Sequence, residues 1–187
     1  MRAFEPWKGD LYESEGIRGL RVFILGESHY GREGADRADF TQHIITKCAM
    51  VRETKRQFFT RIQRMVLGDL RELTDADRTD FWHRVVFYNF VQSIVSENTR
   101  VCPSRQMWQE AQEPFLQTLS EFSTPERTPH MILILGQHLN RHVPTLPIGM
   151  VRCVINHPSS FGFAINRWLP KVQDALTTAR EKISVAG

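Results

Sequence analysis

The chain has 187 residues, 41% hydrophobic and 24% charged, with a formal net charge of +3 and a pI near 8.9. That length fits one domain over residues 1–187 with a sizeable core, and the composition excludes a disordered chain. Apolar runs far shorter than the ~20 residues of a membrane span exclude a helical membrane protein, while the mild positive excess tolerates a polyanionic partner without requiring one.

Residues 1–19 read as an irregular lead-in; the N-terminus lacks the apolar stretch of a signal peptide, which points to a cytoplasmic protein. The apolar run 20–25 is the first strand. Residues 31–42, with Gly31, Gly34 and several charges, read as a loop. From 55 to 67, Phe58, Phe59, Ile62, Met65 and Val66 recur on one side of a helix. Thr74 is placed to cap a second helix that ends near His83, with Asp75 and Asp77 in its first turn. Residues 85–88 form a short apolar strand. Pro103-Ser104 opens a helix running through Phe122, which turns Trp108, Phe115, Leu116 and Leu119 inward. Two more interior strands follow at 131–135 and 151–155, and a last helix covers 166–183. The cysteines Cys48, Cys102 and Cys153 have no metal-ligand spacing and read as structural thiols in a reducing compartment.

Strands that alternate with helices, each a short β-branched apolar run, imply an α/β protein. The expected architecture is a three-layer α/β/α domain with a four-stranded, mainly parallel sheet. Ligands of open α/β sheets bind outside the carboxyl ends of the strands. Those ends carry Gly26-Glu27-Ser28-His29-Tyr30, Asn89, Gly136-Gln137-His138 and Asn156-His157-Pro158-Ser159-Ser160, so four polar segments should meet on one rim.

The order and spacing of these segments resemble the uracil-DNA glycosylase superfamily. That family has a Gly-x-Asp-Pro-Tyr type loop after its first strand, an Asn after a later strand, a Leu-Leu-Gly strand end and a final His-Pro-Ser loop. Here they correspond to Leu25-Gly26-Glu27-Ser28-His29-Tyr30, Phe87-Tyr88-Asn89-Phe90, Leu133-Ile134-Leu135-Gly136 and His157-Pro158-Ser159-Ser160. The likeness spans about residues 20–175.

Cleaving an N-glycosidic bond requires a slot for a flat base, hydrogen bonds to its edge, stabilisation of the leaving anion and a placed water. The base must also leave the duplex stack. A carboxamide offers both donor and acceptor, so Asn89 suits a base edge; a plain turn residue is the alternative. His157 suits hydrogen-bond donation to a base carbonyl as charge develops there. The resemblance implies the same roles for both. It further implies that Phe40 stacks on the base and that Tyr30 closes the pocket against a 5-methyl group, with Gly26 and Ser28 in the same wall.

The first motif departs from the family. Ser28 stands where the familiar members have Asp, and His29 where they have Pro. Serine is a poor base without a partner. Glu27 resembles the Gly-Glu-Ala-Pro-Gly variant of other branches, and a carboxylate there can orient water or stabilise an oxocarbenium-like sugar. His29 is the second candidate for that role. The Glu-containing branch carries four cysteines for an iron–sulfur cluster; three scattered cysteines predict no cluster and no other cofactor.

The family's last loop enters the minor groove with an apolar wedge, for which Phe161 and Phe163 are candidates on either side of Gly162. Ser159, Ser160 and Arg167, with Lys171 nearby, suit phosphates. Arg52, Lys55, Arg56, Arg61 and Arg64 form a basic group that reads as a solvated face or a phosphate track. His138 and His142, one helical turn apart, lack a third ligand, so no metal is expected. Ser28-His29 lacks the nucleophile elbow of a serine hydrolase. Together the residues predict a monomeric, monofunctional DNA glycosylase that flips out and excises a uracil-like, damaged or modified base, in repair or against foreign DNA. The alternatives are a catalytically silent nucleobase- or DNA-binding module on the same scaffold, or a hydrolase of free nucleosides.

Overall fold

The structure, a computed structural model, describes residues 3–31, 37–51, 57–98 and 101–186. Its elements in chain order are β1 (Trp7–Lys8), β2 (Val22–Gly26), α1 (Phe40–Ile44) continuing into a π-helical segment (Ile45–Met50), α2 (Gln57–Leu67), α3 (Asp75–His83), β3 (Val85–Asn89), α4 (Arg105–Glu110), α5 (Gln112–Glu121), β4 (Met131–Leu135), α6 (Gln137–Asn140), β5 (Val151–Ile155) and α7 (Ile165–Ala186). The chain is α/β, as its pattern predicts.

The sheet corrects the expected four strands to five and makes it mixed, in the order β1-β3-β2-β4-β5. Strands β3, β2, β4 and β5 are mutually parallel, with Leu25 opposite Tyr88 on one side and Ile134 on the other, and Leu135 opposite Ile155; β5, expected inside, is the far edge of the sheet. The added strand is the two-residue β1, antiparallel to β3 through Trp7 opposite Phe87. Two residues are too few to show any alternation in sequence, so β1 was hidden in the lead-in.

Every residue of β2, β3 and β4 is buried. Period-two alternation sends successive side chains to opposite faces. Val22, Ile24, Phe87 and Leu133 meet α2, α3, α7 and the π-helical segment through Ile62, Trp82, Val172 and Ile45. Phe23, Leu25, Tyr88 and Ile134 meet α4 and α5 through Trp108, Phe115 and Leu119. Each such fully buried side chain contributes about 1.5–3 kcal/mol of burial free energy. No described helix is long and apolar enough to cross a membrane.

Three helix expectations change. The 31–42 loop ends early, because Phe40 already begins α1. The helix expected from Pro103 to Phe122 breaks at Ala111 into α4 and α5. Pro114 has no N–H to give the Glu110 carbonyl, and its ring crowds the preceding turn. Leu116, expected inside, is 48% exposed. Thr74 caps α3 as predicted, accepting from the Asp77 N–H while the Asp77 carboxylate accepts from the Thr74 N–H.

From β2 the chain moves to β3 on one side, then returns past β2 to β4 and β5 on the other. The connections leaving β2 and β4 therefore diverge, the arrangement at which open α/β sheets bind ligands, although the cleft described below takes no residue from the β4 end. Glu27 and His138 leave those two ends.

Candidate functional site

A cleft of about 820 Å³ lies at the carboxyl ends of the strands, within the ~300–1,000 Å³ typical of small-molecule sites. The loop after β2 supplies Glu27, Ser28, His29 and Tyr30, and β3 supplies Phe87 and Asn89. From the loop after β5 come His157, Ser159, Ser160 and Phe161, and α2 adds Gln57, Phe58, Phe59 and Arg61. Val101 and Cys102 complete the wall with Ile44.

Asn89 is the last residue of β3 and pairs in register with Gly26. A Cβ at position 26 would lie 2.1 Å from Asn89 Oδ1, so glycine there lets the carboxamide cross the β2 end. The Asn89 backbone oxygen accepts from Gln92 Nε2 at 2.6 Å, which steadies the turn. The carboxamide itself makes no hydrogen bond to a described residue, and its donor and acceptor remain open to the cleft.

His157 follows β5. Its Nδ1 accepts from the Ser159 N–H at 3.2 Å. In the neutral ring this puts the proton on Nε2, as a donor. Burial pushes the imidazole pKa down to about 4, so the ring is neutral near pH 7. Phe58 stacks on it with centroids 5.3 Å apart and planes 29° from parallel.

Glu27 has neither an ion-pair nor a hydrogen-bond partner for its carboxylate among the described residues. Burial raises its pKa above the usual carboxylate range, and nearby His138 works against that rise. Ser28 Oγ is shielded without a well-formed hydrogen bond. It lies close enough to Tyr30 to lower the phenol, which burial raises more strongly. The Tyr30 hydroxyl donates to the Val101 carbonyl at 3.0 Å, tying the first motif to the segment before α4.

His29 is buried and engaged at one ring nitrogen. It is 4% exposed, and its Nε2 lies 3.0 Å from Thr41 Oγ1. Phe4 and Phe40 pack edge-on against the ring, each at 5.0 Å. Burial pushes its pKa down to about 3, which makes it a weak base. Phe40 thus packs behind His29 and is absent from the cleft wall. Phe58 presents a ring there instead, a residue that helical spacing assigned to the core.

At the rim, Phe161 is fully exposed, while Phe163 is half-buried against the core beneath the Arg61 guanidinium. Ser159 and Ser160 are exposed. Arg167 and Lys171 are exposed and lie over the Trp168 ring at 5.3 and 5.7 Å. Arg52, Lys55 and Arg56, like Gly34, fall outside the described residues. Cys48 and Cys153 are buried, but Cys102 is exposed on the cleft wall, unlike the structural thiol expected. His142 stacks flat on Trp108 at 4.2 Å and His138 meets the same ring edge-on. Among the described residues no three His, Cys, Asp or Glu side chains gather as a metal site.

Three groups with unspent chemistry therefore converge: a carboxylate, a carboxamide and a neutral imidazole donor. Gln57 escaped notice in the sequence, and Phe58 and Arg61 were read as a core residue and as part of a basic group, because they sit on an amphipathic helix whose periodicity is explained by packing alone. No protein-family model matches the chain, and none of the curated proteins matches its sequence.

Proposed function

We propose that this chain is a monofunctional DNA glycosylase on a uracil-DNA glycosylase-like scaffold, excising a uracil-like, damaged or modified base. One observation carries the reading: Glu27, Asn89 and His157, each from a different strand end, line one cleft with their working atoms unpartnered by the described residues. The block of four parallel strands, and the order along the chain of the motifs that end them, support the scaffold.

In this mechanism the flipped base enters the cleft and Asn89 pairs with its edge. The Glu27 carboxylate orients a water and stabilises positive charge on the sugar. The C1′–N bond breaks and its electron pair moves onto the base. His157 Nε2–H donates to a base carbonyl as that negative charge grows. Water oxygen bonds to C1′, and its proton passes to Glu27 and on to solvent or the leaving base. No lysine stands in the motifs, so a Schiff-base route is not part of the proposal. Phe161 enters the gap left in the stack, and Ser159, Ser160 and Arg167 meet phosphates.

The test is alkali-revealed cleavage of labelled oligonucleotides, single- and double-stranded. The panel holds uracil, hypoxanthine, thymine mismatches, and hydroxymethylated and glucosylated cytosine. Strand breaks at one base support the reading and name the substrate. Silence across the panel with DNA still bound favours a silent binding module.

A further inference from the structure

The excision chemistry leaves Arg61 without a role, although it lines the cleft. Helical spacing groups it with bases that face solvent or track phosphates. Its guanidinium is instead engaged within the fold. One Nη donates to the Pro158 carbonyl oxygen, and the guanidinium carbon lies 5.2 Å from the Phe163 ring centroid. Pro158 directly follows His157, and Phe163 stands two residues past Phe161. Three positions before Arg61 on the same helix, Phe58 stacks on His157. Residues at this spacing share a helix face.

The loop itself is two tight turns. Ser160 N–H donates to the His157 carbonyl at 2.8 Å, and Phe163 N–H to that of Ser160 at 3.2 Å. Gly162 has φ of +69°, the left-handed region that glycine enters freely. These bonds shape the loop but do not attach it to the domain. Arg61 reaches both ends of it, and Phe161 projects from the stretch between.

We propose that Arg61 is a positioning residue, a latch from α2 that fixes the 157–163 loop and so aims His157 into the cleft and Phe161 out of it. Its effect on catalysis rests on the glycosylase reading; the latch itself does not. A planar guanidinium suits this dual use, because its edge donates while its face lies on a ring. A phosphate would have to compete with both contacts. Arg167 and Lys171 differ, lying on the half-buried Trp168 ring with no carbonyl acceptor among the described residues.

The experiment compares wild type with Arg61→Met and with the charge-neutral Phe163→Leu. Three quantities are read: the His157 imidazole titration by NMR, the salt dependence of duplex binding, and the single-turnover cleavage rate. The latch predicts that in both variants the His157 pKa rises from about 4 towards the ordinary value as the ring hydrates. It predicts an unchanged slope of log affinity against log salt, and a rate loss on the order of 100-fold from misplacement. A His157 titration unmoved in Arg61→Met overturns it. So does a salt slope reduced by ~0.9, the signature of one lost phosphate contact. If wild type cleaves nothing, the glycosylase reading fails and the His157 titration alone decides the latch.

Discussion

The two ends of the sheet carry the same kinds of residue and use them in opposite ways. At the amino end, His130 Nδ1 accepts from the Arg21 N–H at 3.0 Å. The Arg21 side chain donates to the Thr128 and Pro125 carbonyls, and Arg18 to that of Leu67. A cavity beside Arg18 and Leu20, just before β2, holds only about 40 Å³. At the carboxyl end, His157 Nδ1 likewise accepts a backbone N–H, but its other nitrogen, the Asn89 carboxamide and the Glu27 carboxylate are left open to about 820 Å³ of cleft. Burial pushes both histidines down to about 4. A depressed pKa is therefore no mark of a site in this fold. What separates the two ends is unspent hydrogen-bonding capacity beside a space large enough for a ligand.

The largest expected break in that contrast is Glu27→Gln. Loss of the carboxylate should lower single-turnover base release by ~10³-fold and leave DNA binding intact. Because burial disfavours the ionised carboxyl, the amide should also raise the melting temperature. An active site that costs stability predicts this; a carboxylate with a structural task predicts the reverse.

Gly26→Ala comes next. The new methyl collides with Asn89 Oδ1 and should destabilise the domain by about 1–3 kcal/mol in chemical denaturation. Displacing the carboxamide should slow cleavage on the order of 100-fold.

The pH dependence sharpens the contrast. Cleavage that needs ionised Glu27 should rise with pH through a value above the ordinary ~4.3 of a glutamate, and Glu27→Gln should lose that rise. Stability also depends on the buried histidines, with the opposite sign to Glu27, whose raised pKa favours the folded state as pH falls. His29, His130 and His157 have folded pKa values below the unfolded ~6.5. The unfolded chain binds more protons between ~6.5 and those depressed values, so stability falls as pH falls through that window. Denaturation midpoints measured from pH 7 to 4 check it.

The smallest effect belongs to His130→Gln. Losing its bond to Arg21 should cost about 1 kcal/mol and leave the cleavage rate at its wild-type value. A large rate loss there would erase the distinction between the two ends.

The four parallel strands were legible because each is a short apolar run that meets a glycine or an asparagine at its end, Gly26, Asn89, Gly136 and Asn156. Thr74 was legible because capping is local chemistry. What stayed hidden depends on long-range packing or on very short elements: β1, the π-helical segment after α1, and the ring that faces His157. Phe58 and Phe59 are neighbours with the same chemistry, and only the docking of α2 decides that Phe58 meets His157. Phe40 has the spacing of a base-stacking ring, yet packing with Phe4 and His29 places it behind the motif. The conversion of Arg61 from a surface charge to a loop contact is likewise a tertiary event, which no helical periodicity encodes.

The central claim is that the carboxyl-end cleft breaks an N-glycosidic bond in DNA. Mass spectrometry of a single-turnover reaction on the modified-base oligonucleotides tests it most directly. The account predicts a free base in solution and a matching abasic oligonucleotide, both absent with Glu27→Gln. Intact oligonucleotide recovered across the panel from wild-type complexes, with no free base, would contradict it.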